Sequence, residues 1–366
     1  MNPAPAPHKR QQVADSLRKM LHGLKAGDRL PSVHDLEKHF GVAKSTVEAA
    51  VSELQAEGLI VRRKGSGTFV ADAPRGAGRR QVGRIMITSI PLGTSLNIYS
   101  AMLSALESEM RRLGYEPVLF SEVSPALRFA QAQQRWEAGA VDGFINIGSL
   151  REGDLATYPT VPGVVMGEVP DGAPVHQVVV DNYGGGRAAG QYLWGLGHRR
   201  IAFMAAANLA PAVKRRQGLV DAVVDCGGRE SDVVPITITW RALGQNNFPV
   251  IETALKTALE GPEPVTAFFF GNDQVAFPAL QTLLAWGIRI PGDVSVLSFD
   301  DTPGLASQTR PALTSLRMPT LGLGALAVQT LHQANQEPGM PFRRLVLPAE
   351  LIVRESSGPR EGSGSA

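Results

Sequence analysis

Apolar residues recur at helical spacing along the first seventy positions. Val13, Leu17, Met20, Leu21 and Leu24 fall three and four apart and predict one amphipathic helix. After a turn at Ala26-Gly27-Asp28, the run Leu30-Pro31-Ser32 opens a second helix, with Ser32 as N-cap, Leu36 and Phe40 on one face, and Gly41 at its end. Val47, Val51 and Leu54 predict a third, closed by Gly58. Leu59-Ile60-Val61 and Thr68-Phe69-Val70 then flank Arg62-Arg63-Lys64-Gly65-Ser66-Gly67, which predicts a hairpin with a basic, Gly-rich tip. Further on, β-like runs alternate with helical ones. Gly83 to Thr88, Tyr115 to Phe120, Asp142 to Ile147, Val161 to Met166, Val178 to Val180, Arg200 to Ala205, Asp232 to Ile238, Ala267 to Gly271 and Val294 to Phe299 read as buried strands, separated by helical stretches such as Ile98 to Leu113 and Gly185 to Leu196. Such interleaving predicts parallel sheets with helices on both faces, and so many strands predict two sheets.

Composition divides the chain further. Asp72 to Gln81 holds a Pro, three Arg and two Gly without a large apolar residue, and reads as a flexible basic linker. The Gly/Ser-rich tail from Ser356 is expected to be disordered. The expected organisation is a head over 8–71, a linker over 72–81, a two-lobed body over 82–355 and a tail over 356–366. Hydrophobic residues at 43% and charged residues at 19% exclude disorder for the bulk of the 366 residues. One cysteine, Cys226, excludes an intramolecular disulfide framework and a Cys-based zinc site, and no metal or cofactor is expected. The first ten residues lack the apolar segment of a secretory signal, and the longest nearly uncharged apolar stretch, Ile201 to Val213, is too short for a membrane span. A cytoplasmic protein without membrane contact is expected. Residues 1–80 carry 14 Lys/Arg against 8 Asp/Glu, whereas the remainder carries 22 against 26. A basic head on a mildly acidic body is what a polyanion-binding module attached to another function would show.

Two short helices joined by a tight turn and followed by a basic hairpin are the parts of a winged helix-turn-helix, which lays its second helix in the DNA major groove. Gly27-Asp28-Arg29-Leu30-Pro31-Ser32, Leu36, Phe40-Gly41-Val42, Ser45-Thr46-Val47, Leu54, Glu57-Gly58-Leu59-Ile60 and Gly65-Ser66-Gly67-Thr68-Phe69-Val70 resemble the GntR family of bacterial transcription regulators. The resemblance implies that Lys44, Ser45 and Thr46 open the recognition helix, where a Lys and short hydroxyls reach base edges and phosphates. It implies that Lys64 and Gly65 lie in the wing, close to the minor groove. His34 and Glu48 stand where many members carry Arg; a carboxylate at Glu48 repels phosphate but can accept from a cytosine amino group.

In the body, Val141-Asp142-Gly143, Val180-Asp181-Asn182, Gly197-His198-Arg199-Arg200-Ile201, Arg215-Arg216-Gln217-Gly218, Gly271-Asn272-Asp273, Ile290-Pro291-Gly292-Asp293-Val294, Phe299-Asp300-Asp301 and Pro311-Ala312-Leu313-Thr314 are similar to the LacI/galactose-repressor family. The pairing of this body with a GntR head resembles the arabinose-repressor group. The implied fold is α/β: a small winged helix-turn-helix domain plus two doubly wound, parallel-sheet lobes of periplasmic-binding-protein type, built from non-contiguous segments with a ligand between them. The implied effector set is Arg215, Asn272 and Asp300, with Trp240 stacking on the ligand ring and Tyr99 as the matching aromatic of the first lobe. A carboxylate accepts from vicinal hydroxyls, a guanidinium donates in a planar fork and a carboxamide does both, which suits a sugar or related polyol. Other readings stand beside this one: Asp300 as a helix N-cap, Arg215 in a surface ion pair, Trp240 at a lobe edge. Asp273 and His198 read as structural. Asn208 to Val213 offers few polar groups, which points to a small or partly apolar effector.

The implied function is a ligand-responsive repressor, acting as a homodimer on two-fold operator DNA. A sugar-binding transport component lacks its signal peptide here, and a doubly wound enzyme lacks its motifs: no GxSxG elbow, phosphate loop or HExxH occurs. Gly322-Leu323-Gly324-Ala325-Leu326-Ala327 matches a loose dinucleotide pattern but sits inside a helical run, and reads as small-residue helix packing.

Overall fold

A computed structural model describes residues 7–21, 24, 27–56, 59–63, 67–70, 83–89, 98–206, 209–238 and 248–360. The chain separates into two compact units, residues 1–83 and 84–366; the expected linker, 72–81, lies outside the described residues.

In the first unit, α1 (Pro7–Leu21), α2 (Val33–Phe40) and α3 (Lys44–Ala56) precede the antiparallel pair β1 (Ile60–Arg63) and β2 (Gly67–Val70). Ser32 caps α2 as the sequence predicts: its Oγ accepts from the Asp35 N–H at 3.2 Å, while Asp35 Oδ2 accepts from the Ser32 N–H at 3.2 Å. Gly41, left-handed at φ 60, ends the helix. Val13, Leu17, Leu36, Val47, Val51, Leu54 and Ile60 form one buried core, which is the predicted set of helical faces closed by the hairpin.

The second unit contains two six-stranded sheets. The first has the order β13 (Arg344–Leu347), β7 (His176–Val180), β6 (Gly163–Met166), β5 (Gly143–Ile147), β3 (Gly83–Ser89), β4 (Tyr115–Ser121), and its pairs from β13 through β3 are parallel. The second has the order β14 (Glu350–Ile352), β12 (Thr314–Arg317), β11 (Ser295–Asp300), β10 (Ala267–Phe270), β8 (Ile201–Ala206), β9 (Val233–Ile238), parallel except for β14. All nine expected strands are present, with ends moved by a residue or two. Three more, β12, β13 and β14, were not expected: Thr314–Arg317 has a single apolar residue, Leu316, and the other two are short pieces flanking Pro348.

Alternation along the strands builds both faces. Ile85 and Ile87 of β3 join a core with α4 (Ile98–Leu113) and α11 (Thr320–Gln336), while Met86 between them faces α5 (Pro125–Glu137) through Phe129 and Ala132. In the second lobe Phe203 and Ala205 pack toward α7 (Asn182–Gly195) and α8 (Ala210–Asp225), and Ala202 and Met204 toward α9 (Phe248–Leu259) and α10 (Asp273–Ala285). The chain passes between lobes after β7, after β12 and after β13, so each lobe is assembled from non-contiguous segments. The small-residue reading of α11 holds: a Cβ on Gly324 would meet Ala105 of α4.

The expected disorder of the tail is corrected. Ser356 is 0% exposed; its Oγ donates to the Val296 carbonyl at 2.6 Å and accepts from the Thr314 N–H at 2.8 Å. The Gly358 carbonyl accepts from Ser295 Oγ at 3.1 Å and faces His198 Nε2 at 3.2 Å. Small hydroxyl residues that read as a flexible tail instead satisfy polar groups buried beside β11 and β12. Residues 361–366 lie outside the described residues.

Candidate functional site

In doubly wound lobes, ligands bind in the crevice outside the carboxyl ends of the strands. Asp300 is the last residue of β11, Asn272 follows β10, and α8 begins just beyond β8, so three of the sequence-predicted groups gather on that edge of the second lobe. Arg215 is positioned by the tight crossing of α7 on α8. A Cβ on Gly186 would run into the Arg215 carbonyl, and one on Gly218 into the Tyr183 carbonyl, so only glycine permits this approach.

The Arg215 guanidinium is buried and held on two of its nitrogens. Its Nε donates to Asn182 Oδ1 at 2.8 Å, its Nη1 donates to the Gly271 carbonyl, and the same nitrogen stands 3.6 Å from Asp300 Oδ1. Its carbon lies 3.4 Å from the centroid of the Phe299 ring, a cation–π contact. Burial lowers its pKa to about 10, against the pull of Asp300, Asp273 and Glu168. Asp300 has φ 103, a conformation in which a non-glycine residue is strained, as groups at binding sites often are. Burial pushes its carboxyl up to about 7; Arg215 lowers it and Asp273 raises it. No helix starts at Asp300, so the N-cap reading falls, and the buried pairing removes the surface-ion-pair reading of Arg215.

Asn272 is half-buried and caps α10, its Oδ1 accepting from the Val275 N–H at 3.1 Å; its Nδ2 has no hydrogen-bond partner among the described residues. Asp273 is structural, as expected: its carboxylate accepts from the Thr302 N–H at 2.6 Å and from Ser315 Oγ at 3.1 Å. His198 is structural too, held by Thr266 and Ser295 at 3.0 Å each. Tyr99 stands near the start of α4 in the first lobe: burial raises its pKa, the Asp300 carboxylate raises it further and Arg128 lowers it. Trp240 lies outside the described residues.

Three groups that sequence reasoning missed complete the cleft. Glu168, buried after β6 of the first lobe, accepts from Lys214 Nζ at 2.7 Å and from Asn182 Nδ2 at 2.8 Å. Because Asn182 in turn holds Arg215, this network joins the lobes directly behind the Arg215–Asp300 pair. Only Asn182 had a signal, its place in the Val180-Asp181-Asn182 motif.

On the first unit, Lys44 and Ser45 are exposed at the N-terminus of α3, where helix dipole and free N–H groups favour phosphate. Glu48 is exposed one turn on, 3.9 Å from Lys44 Nζ, and His34 is exposed with its Nδ1 3.4 Å from Glu37 Oε2. Thr46 is corrected: it is 4% exposed and cannot present its hydroxyl to a base, because its position one turn before Ala50 lies on the inward face of α3. Lys64 and Gly65 lie outside the described residues.

Comparison with known proteins agrees with this geometry. Residues 9–70 match the family of bacterial regulatory proteins of gntR type, and residues 191–357 match the periplasmic binding protein-like domain. The chain is a GntR-headed transcription regulator with a LacI-type sensor body. The regulator is similar along almost its whole length to the arabinose metabolism transcriptional repressor of Geobacillus stearothermophilus, at 26% identity over 91% of this chain and 93% of that protein. Its fold is similar to that of the transcriptional regulator CelR in complex with cellobiose, at 25% identity and a TM-score of 0.65 over 86% of this chain and 91% of that one. It is also similar to the lac repressor dimer bound to operator and an anti-inducer, at 25% identity and a TM-score of 0.64 over 76% of this chain and 95% of that one. The regulator is thus a DNA-binding protein and not an enzyme. Among the described residues no helix is long and apolar enough to cross a membrane, and no cluster of His, Cys, Asp and Glu could hold a metal ion.

Proposed function

We propose that this regulator represses a carbohydrate-use operon in the cytoplasm, binds its operator as a homodimer through the exposed start of α3 and the β1–β2 hairpin, and is released by a small polyhydroxylated effector. Arg215, Asp300, Asn272, Tyr99 and Trp240 form the effector set in this reading. The observation that carries it is the buried Arg215–Asp300 pair, 3.6 Å apart at the carboxyl edge of the second lobe, with strained backbone at Asp300 and no hydrogen bond to its carboxylate among the described residues. A carboxylate and a guanidinium side by side form an acceptor–donor couple for vicinal hydroxyls. The repressors of similar build respond in name to sugars, arabinose among them.

The reading is tested on duplexes selected from a random pool by the full-length protein. Binding should fall steeply with salt, and Lys44→Ala should weaken it by about 1–3 kcal/mol if Lys44 reads a base, or flatten the salt slope if it holds phosphate. A panel of sugars should then contain one that releases the duplex. Affinity indifferent to both salt and Lys44→Ala removes the DNA half of the reading; operator affinity unmoved by every member of the panel removes the effector half.

A further inference from the structure

The first lobe contains a second buried arginine. Arg128 lies one turn into α5, which starts just beyond the carboxyl end of β4, so it stands on the edge of the first lobe where a ligand would lie. It is 3% exposed, and its Nε and Nη1 are buried with no hydrogen-bond partner among the described residues. The contrast with Arg215 is sharp: that guanidinium has an amide oxygen, a backbone carbonyl and a carboxylate around it, while Arg128 has neither an ion pair nor a hydrogen bond on those two nitrogens.

The Glu122 N–H donates to the Ser89 carbonyl at 3.0 Å, so β4 ends beside β3 and α5 carries Arg128 from the same edge of the first lobe; Arg128 also lies in the field of Tyr99, and Tyr99 in that of Asp300. Asp154 and Glu122 act on Arg128 through space without hydrogen-bonding it. Glu122 uses its Oε1 on the Val123 and Ser124 N–H groups. Glu168 is taken by Lys214 and Asn182, and Asp300 by Arg215. Asp154 Oδ2 accepts from the Arg151 N–H at 2.8 Å, so each of these carboxylates has partners of its own, and none among the described residues bonds Arg128 Nε or Nη1. A buried, unpaired cation is expensive to keep, and its donors are satisfied only when an anion arrives.

We propose that Arg128 is the anion subsite of the effector cleft and that the effector is an acidic polyol, its ring hydroxyls on Arg215 and Asp300 and its carboxylate or phosphate on Arg128. The planar fork of a guanidinium suits either anion. This deepens the sensor reading and rests on it.

The test compares full-length wild type with Arg128→Met by thermal shift and calorimetric titration, using matched pairs at equal ionic strength: galacturonate with galactose, gluconate and glucose 6-phosphate with glucose, ribose 5-phosphate with ribose. At least one acidic member should bind wild type more tightly than its neutral partner, and Arg128→Met should weaken it on the order of 10- to 100-fold, the worth of a charged hydrogen bond. Carboxylate members and phosphate members separate the two sources of the charge. Without ligand, Arg128→Met should melt no lower than wild type, since an apolar side chain replaces an unpaired buried charge. A sharp loss of melting temperature in unliganded Arg128→Met makes Arg128 a structural cation and overturns the proposal. So does a neutral sugar that binds both proteins equally and outcompetes its acidic partner; in that case the sensor reading stands while the anion subsite falls. A panel in which no acidic member binds also overturns it.

Discussion

Asp300 is the side chain in which geometry and electrostatics meet most directly. Its carboxyl is pushed up to about 7 by burial, while an exposed aspartate titrates near 3.8. The folded protein therefore holds a proton that the unfolded chain releases, and the sign follows: the contribution to stability is fully present below about pH 4 and is lost as pH rises through about 7. Asp300→Asn cannot ionise and escapes that loss. Relative to Asp300→Asn, wild type should become less stable between pH 5 and 8, by an amount on the order of a few kcal/mol. Melting curves that stay parallel over that range count against the buried carboxylate. Hydroxyl donors favour the ionised form, so effector affinity in the wild type should rise as pH passes about 7, and Asp300→Asn should lose the effector's thermal shift altogether.

The crossing of α7 on α8 and the clasp of the C-terminal segment each make one demand on their neighbours. Gly218→Ala would place a methyl against the Tyr183 carbonyl, a backbone atom that cannot rotate away. Overpacking of this kind costs roughly 1–3 kcal/mol. Because α8 must then shift, the variant should also lose effector affinity, which separates it from an ordinary destabilised protein; normal affinity with a normal melting temperature would show that α8 tolerates the methyl and does not position Arg215 through this contact. Truncation after Glu355 removes Ser356 Oγ from Thr314 and Val296, and the Gly358 carbonyl from His198 and Ser295. Each buried polar group left unmatched costs about 1–3 kcal/mol, so the truncated protein should melt several degrees lower. An unchanged melting temperature would mean that water replaces the tail at no cost.

In the proposed reading effector and operator are coupled through the protein, and one polar link between the lobes that can carry the coupling runs through Glu168. Its carboxylate ties Lys214 and Asn182 of the second lobe to the first, and Asn182 holds Arg215. An effector that takes over donors of Arg215 must perturb this network, and so the fit of one lobe on the other. Allosteric coupling of about 1–3 kcal/mol corresponds to a 5- to 150-fold change in operator affinity, and operator must alter effector affinity by the same factor. Glu168→Gln keeps the shape and removes the charge. It should lower the coupling factor, measured as the ratio of effector affinities with and without operator, more than it lowers effector affinity alone. An unchanged factor would place the coupling elsewhere.

Much of this regulator can be read from periodicity and local chemistry. The helical spacing of Val13, Leu17, Val47 and Leu54, the cap at Ser32 and the apolar runs from Gly83 to Phe299 are local signals, and they led to the winged head and nine of the twelve body strands, while the gathering of Arg215, Asn272 and Asp300 was implied by the resemblance to the LacI family. What they could not settle depends on which surface packs against which. Thr46 reads like Ser45 until α3 is laid on its core; Arg128 carries no signal of its burial in the sequence; Glu168 and Lys214 are 46 positions apart and mean nothing to each other along the chain. Ser356 looks like a flexible terminus until Thr314 and Val296 need its hydroxyl. Local patterns select elements because backbone hydrogen bonding and side-chain period are properties of neighbours. The burial and partnering of a polar group are set by residues distant in sequence, so they emerge only when the elements are assembled.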